Sequence, residues 1–168
     1  MSDTPQAAIK QPDLRFLFAH PAHFLALGFG SGLSPKAPGT MGSLVAIPFY
    51  LLLTLVLTPF QIALLAIPLF LIGVPICGRA GRALGVSDHG AIVWDEIVAM
   101  LPLLALVPQH PVGWAAAFIL FRLFDITKPW PIRWVDGHVK GGLGVMLDDA
   151  LAAIPAALLL WLVRSCLA

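Results

Sequence analysis

Between Ala37 and Gly78 the chain contains no Asp, Glu, Lys, Arg or His. A helix that crosses a bilayer needs about 20 consecutive apolar residues, so this run holds two, with Thr58-Pro59 as the break between them. Lipid offers backbone N–H and C=O groups no partners, which leaves helices and closed barrels as the spanning structures. The expected fold is therefore all-α, a polytopic membrane helical bundle. Composition agrees, at 59% hydrophobic and 11% charged residues, against roughly 25% charged in ordinary soluble domains. The net charge of +1 supplies no field for polyanions and argues against nucleic acid as a partner.

Further apolar segments run from about Ala91 to Val107, Val112 to Phe124 and Ala150 to Val163, giving four to five apolar helices. Pro48, Pro68 and Pro75 lie within the first two and are expected to kink them. The last two segments are short for full spans. Phe16 to Phe29, with His20 and His23, reads as an N-terminal amphipathic or interfacial helix. Residues 1–15 read as a loose tail ahead of a single helical membrane domain, 16–168. The tail lacks the apolar stretch of a cleavable signal peptide, so insertion is expected to be directed by the internal segments. Cys77 and Cys166 follow no metal spacing and read as small apolar fillers.

Lys and Arg fall on alternate connections. Lys10, Arg15 and Lys36 precede the first span, Arg79 and Arg82 follow the second, and Arg122, Lys128, Arg133 and Lys140 follow the fourth. The Thr58-Pro59 and Pro108–Val112 turns carry none. By the positive-inside rule the basic side is cytoplasmic and the chain starts inside. If the fifth segment spans, the chain ends outside; if it is re-entrant, it ends inside.

Of the nine acids, Asp95, Glu96, Asp125, Asp148 and Asp149 adjoin or interrupt apolar segments, all at the cytoplasmic ends. A charge at the bilayer centre costs roughly 2.5–3.5 kcal/mol on insertion scales, so intramembrane acids usually mark function. Convergent carboxylates suit a hard cation, and Mg²⁺ takes oxygen ligands while leaving room for water and substrate phosphate. Two plainer readings stand beside this. Asp95 and Glu96 could end a shorter helix at the headgroups, and Asp148 and Asp149 could sit at a helix start, where the dipole favours anions.

RLFDITKPWPIR, Arg122 to Arg133, is the densest polar cluster. Arg122, Asp125 and Lys128 have i, i+3, i+6 spacing and share roughly one helical face; Pro129 ends that helix. Lys128 and Arg133 also fit ordinary snorkelling anchors. GFGSGLSPKAPGTMGS, Gly28 to Ser43, opens into the first span, and Lys36, Gly39, Thr40, Gly42 and Ser43 could hold phosphate on exposed N–H groups. A flexible turn before a membrane helix has a similar composition. Several motifs are missing: the Gly-Lys-Ser/Thr ending of a Walker A loop, a Cys-x5-Arg spacing, an Asp-x-Asp pair, and any histidine pair strong enough for zinc.

GFGSGLSPKAPGTMGS, WDEIV, FRLFDITKPWPI and GGLGVMLDD, in that order, resemble phosphatidylglycerophosphatase A, a small membrane lipid phosphatase of bacteria. The likeness covers nearly the whole chain apart from the N-terminal tail and the hydrophobic fillers. Ala99 and Ala153 stand where the family pattern is expected to have glycine. The resemblance implies a helical enzyme of the bacterial inner membrane. It would hydrolyse the anionic phospholipid phosphatidylglycerophosphate to phosphatidylglycerol and phosphate with Mg²⁺, in phospholipid biosynthesis. On that footing Asp95, Glu96, Asp125, Asp148 and Asp149 are the expected metal ligands, with Asp125 also the first candidate base. Arg122 and Lys128 would stabilise the phosphoryl oxygens, with Glu96 beside them, and Arg133 and the Lys36 loop would bind substrate. The rivals are a phosphatase for another lipid, such as phosphatidic acid, and a non-enzymatic cation-conducting protein. Short final helices are also compatible with a homo-oligomer.

Overall fold

The computed structural model describes residues 11–167. They form α1 (Leu14–Ala19), α2 (Pro21–Ala26), a 3-10 helix (Gly28–Leu33), α3 (Pro38–Leu53), α4 (Pro59–Leu84), α5 (Trp94–Leu106), α6 (Pro111–Thr127), α7 (Ile132–His138) and α8 (Gly141–Leu167), with no strand among the described residues. The organising element is α5. Its side chains from Trp94 to Leu104 are almost all buried, and it packs against α3, α4, α6 and α8. A helix apolar on every side belongs in a core, and α5 is wrapped by its neighbours.

The helices alternate in direction, which sorts the connections to two ends. Leu57, Thr58, Gln109 and Trp114 line one cavity at the first end. Arg164, late in α8, donates to the Leu106 carbonyl there (3.0 Å). The opposite end gathers the starts of α3, α5 and α8, the ends of α4 and α6, and the short helices α1, α2 and α7. Apart from Arg164, the basic residues from Lys36 to Lys140 sit toward this second end.

α4 and α8 are long and apolar enough to cross a membrane. Large apolar side chains such as Leu52, Phe60, Ile67, Leu71, Ile119 and Leu158 face outward, a surface that lipid covers and water does not. Glycine lets α4 and α8 approach closely. A Cβ added at Gly142 would overlap the Val74 carbonyl oxygen and crowd the Gly78 nitrogen, and one at Gly73 would run into Met146 and Trp94. Small residues at such crossings allow backbone contact where no hydrophobic effect drives helices together.

Several sequence expectations are revised. The helix expected over 16–29 is two six-residue helices followed by a 3-10 turn, because Pro21 interrupts it and the His20 side chain caps the Ala22 N–H (3.0 Å). α1 starts at Leu14, inside the expected tail, whose residues 1–10 lie outside the described region. The positions of Pro48, Pro68 and Pro75 inside the spans are as expected, and Pro102 and Pro155 lie inside α5 and α8 as well. The fifth segment is far longer than read. α8 begins at Gly141, so Asp148 and Asp149 sit two turns inside it and not at its dipolar start.

Gly142→Ala is expected to destabilise the bundle by about 1–3 kcal/mol, since α4 and α8 must separate to admit the methyl group. Gly137→Ala, with nothing within 4 Å of the added atom, is expected to be nearly neutral. Thermal unfolding in detergent compares the two; equal midpoints would show that the α4–α8 contact is not tight at Gly142.

Candidate active site

The second end of the bundle concentrates the charged residues, and the chain delivers them from four helices. Asp95 and Glu96 occupy the first turn of α5, where unsatisfied N–H groups and the dipole favour carboxylates. Residues 91–93, just before them, pass between other elements, with Val93 N–H donating to the Ala26 carbonyl (2.9 Å). The glycines of the Gly28–Ser43 stretch make this passage possible. A Cβ on Gly32 would overlap the Ala91 carbonyl oxygen, and added carbons on Gly28 and Gly42 would strike Val93. Gly28 and Gly30 also hold positive φ angles of 53° and 103°, a conformation that costs glycine least.

Asp95, Glu96 and Asp149 each offer one oxygen, and these atoms all lie within 4.8 Å of one another. Asp95 and Asp149 retain only 7% and 3% of their exposure. Asp95 Oδ1, Glu96 Oε2 and Asp149 Oδ2 are buried without a hydrogen-bond partner. Buried polar atoms normally find partners, and three carboxylates this close repel one another unless neutralised. An oxygen-only donor set with free lone pairs fits Mg²⁺, and no histidine or cysteine belongs to the group.

Arg122, on the last turns of α6, borders this group. Its Nη1 lies 2.5 Å from Asp125 Oδ2 and 3.8 Å from Glu96 Oε1. Its Nε has no hydrogen-bond partner, which leaves a donor for an anion. Gly39, in the first turn of α3, closes the third side. A Cβ there would overlap Glu96 Oε1 and fall 3.1 Å from Arg122 Nη1. Glycine at position 39 therefore keeps room for the Glu96 carboxylate against the start of α3.

Lys128 is turned to a different task from Arg122. It ends α6 in the left-handed region (φ 40°) and donates to Asp148 on α8 (2.6 Å) and Asp136 on α7 (2.9 Å). Burial opposes its charge, yet these two carboxylates outweigh that effect and hold its pKa above the ordinary lysine value. Lys128 thus ties three helices together, and Asp148 is engaged there and not among the three clustered acids. Asp125 likewise is paired with Arg122, although its charge still reaches Asp149.

The remaining sequence candidates separate by exposure. Lys36 and Arg133 are exposed and make no ion pair among the described residues. Thr40 is half-buried in the first turn of α3. Gly42 is packing space for Val93, and Ser43 is fully buried, with its hydroxyl donating to the Gly39 carbonyl (2.9 Å). Cys77 is buried with its thiol 3.8 Å from Met146 Sδ, a packing position. Asp136 was missed by sequence reasoning. It adjoins no apolar run, and only the fold of α7 brings it to Lys128.

The family model for phosphatidylglycerophosphatase A matches residues 24–164. A phosphatidylglycerophosphatase A of Escherichia coli (strain K12) is 48% identical, covering 89% of this chain and 87% of the relative. One from Haemophilus influenzae is 43% identical, over 86% of this chain and 90% of the relative. A third relative, from Bacteroides thetaiotaomicron, bears the provisional name phosphatidylinositol-3-phosphatase and is 38% identical over 83% of this chain and 91% of its own length. No solved structure matches. The chain, with its buried carboxylates bordered by an arginine at one end of an apolar bundle, belongs to the phosphatidylglycerophosphatase A family and is a phosphoric monoester hydrolase.

Proposed function

We propose that the chain hydrolyses phosphatidylglycerophosphate to phosphatidylglycerol and phosphate, with Mg²⁺ held by Asp95, Glu96 and Asp149, at the cytoplasmic face of the bacterial inner membrane. The observation that carries this reading is the trio of buried, unpartnered carboxylate oxygens beside an arginine with a free Nε. Bound there, Mg²⁺ supplies Lewis acidity toward phosphoryl oxygens and a water of lowered pKa. Arg122 binds the phosphoryl group and offsets the charge that spreads over its equatorial oxygens. Asp125 fixes Arg122 through Oδ2, and its carboxylate is the group that accepts the proton of the attacking water. The water oxygen bonds to phosphorus, the phosphorus–glycerol oxygen bond breaks, and the released oxygen takes up a proton. Lys128 acts by holding Asp148 and Asp136, which sets the start of α8 against α6.

The Lys/Arg-rich end of the bundle supports a cytoplasmic site. α8 is long enough to cross, which supports an outer C-terminus. A hydrolase family leaves no basis for the cation-conducting alternative. The Bacteroides relative's name favours one second reading, a different lipid phosphomonoester as substrate. Phosphate release from a panel of phosphatidylglycerophosphate, phosphatidylinositol 3-phosphate and phosphatidic acid separates the two.

Asp95→Asn and Asp149→Asn are each expected to lower kcat/KM at least 100-fold. Mg²⁺ should raise the thermal midpoint of the unsubstituted protein, because a ligand that binds the folded state stabilises it, and should fail to do so in either variant. Normal Mg²⁺ stabilisation in both would refute the metal assignment. Gly39→Ala is expected to keep its thermal midpoint within a few degrees but lose at least tenfold in kcat/KM, since the displaced atom is the flexible end of Glu96. Wild-type turnover in that variant would show that Glu96 need not sit against α3.

Lys128→Met should cost about 3 kcal/mol by stranding two partly buried carboxylates, and adding Asp148→Asn should recover part of the loss. Equal unfolding midpoints for wild type and Lys128→Met would show that this link is structurally idle. Single cysteines placed at Lys140 and Gln109, in a Cys77→Ser/Cys166→Ser background, test orientation. A membrane-impermeant thiol reagent on intact cells should label Gln109→Cys and spare Lys140→Cys; the reverse pattern would overturn the topology.

A further inference from the structure

An apolar trough of about 380 Å³ runs between α4, α5 and α8. Each helix lends it one face at helical spacing. α5 contributes Asp95, Ala99 and Pro102 (i, i+4, i+7), and α8 contributes Met146, Ala150 and Ala153, with the same spacing. On α4, Ala66 and Phe70 face inward, while Ile67 and Leu71, 60% and 63% exposed, form the outer lip. Seven residues of α5 or α8 rise about 10 Å, so the trough extends roughly that far along the helices, from the site end toward the middle of the bundle.

Asp95 is the charged residue in the lining, and it is also one of the three clustered acids. Its Oδ1 is buried and unpartnered. The apolar trough and the proposed phosphate site therefore meet at a single side chain. Lipid-facing helices rarely need a recess lined by alanine that ends on a carboxylate, and its continuity with the acid cluster gives this one a use. Alanines can also admit another helix, but a second helix gives no reason for the trough to end on Asp95. The acyl chain of a lipid whose phosphate sits at the acid cluster enters the trough by continuity with that cluster.

We propose that the trough binds one acyl chain of the substrate lipid and enters from the side of the bundle, past Ile67 and Leu71. This rests on the reading of the chain as a lipid phosphatase and extends it from the headgroup to the tail. The chain would anchor the lipid so that its phosphomonoester lies at the carboxylates, using binding away from the reacting atoms to position them.

Photo-crosslinking tests it on the unsubstituted protein. The probe is phosphatidylglycerophosphate carrying a diazirine midway along one acyl chain, in detergent without added Mg²⁺. Peptide mass spectrometry should place adducts on 63–71, 98–102 and 150–153, reduced at least fivefold by excess unlabelled lipid. Adducts spread evenly over outward residues such as Ile119 and Leu158, or unaffected by competitor, would overturn the proposal. So would an Ala66→Cys disulfide dimer forming in membranes, which would make a second copy the occupant. Ala99→Leu, which narrows the slot, should raise KM for the long-chain lipid about tenfold with a smaller change in kcat; an unchanged KM counts against the trough. Ala153→Leu repeats the test from α8 if the first variant does not fold. Competed adducts in the trough without phosphate release on adding Mg²⁺ would uphold the acyl site and overturn the hydrolase reading, so the two failures are distinguishable.

Discussion

Carboxylates placed inside an apolar bundle set the terms for the rest of this structure. Burial removes the water that would solvate Asp95, Glu96 and Asp149, and their proximity adds mutual repulsion. The fold answers with cationic and dipolar groups from separate elements. The start of α5 offers its dipole to Asp95 and Glu96, Arg122 reaches Asp125 and Glu96 from α6, and Lys128 binds Asp148. Four carboxylate oxygens remain unmatched, Oδ1 of Asp148 and one each on the three clustered acids. That uncompensated charge is the basis of the proposed divalent-cation site.

Bringing those groups together needs close backbone packing, and the glycines do this work. Gly32 and Gly42 make way for the passage that leads into α5, Gly142 lets α8 lie against α4, and Gly39 leaves space for the Glu96 carboxylate. In water, helices could be held by burying apolar area. In lipid that drive is largely absent, and close fit carries more of the association. The Gly-rich segment thus serves the site mainly by packing, while only Gly39 touches its chemistry directly.

Much of this was legible in the chain itself. The charge-free run from Ala37 to Gly78 holds α3 and most of α4, Pro129 follows the end of α6, and the acids flanking apolar segments include the three that cluster. Arg122 and Asp125 sit three apart, and a helix brings such residues together whatever surrounds it. The misreadings share a cause. Asp148 and Asp149 resembled helix-start residues because the apolar run begins at Ala150, yet α8 starts at Gly141, and Gly142 leaves room there for Val74. Lys128 has the helical spacing to join Arg122 but ends α6 with a left-handed turn that aims it at α7 and α8. Asp136 carried no local signal at all.

By itself the sequence determined that the chain is helical, that it carries helices apolar enough to cross a membrane, and which side chains are too costly to bury without a purpose. These follow from hydropathy, proline and local spacing, which act over a few residues. Only the tertiary structure decided which acids cluster, which cation each meets, and that a trough lined by three helices ends at Asp95. Those outcomes depend on backbone contacts between residues far apart in the chain, such as Gly142 with Val74 and Gly39 with Glu96, and no local period encodes them.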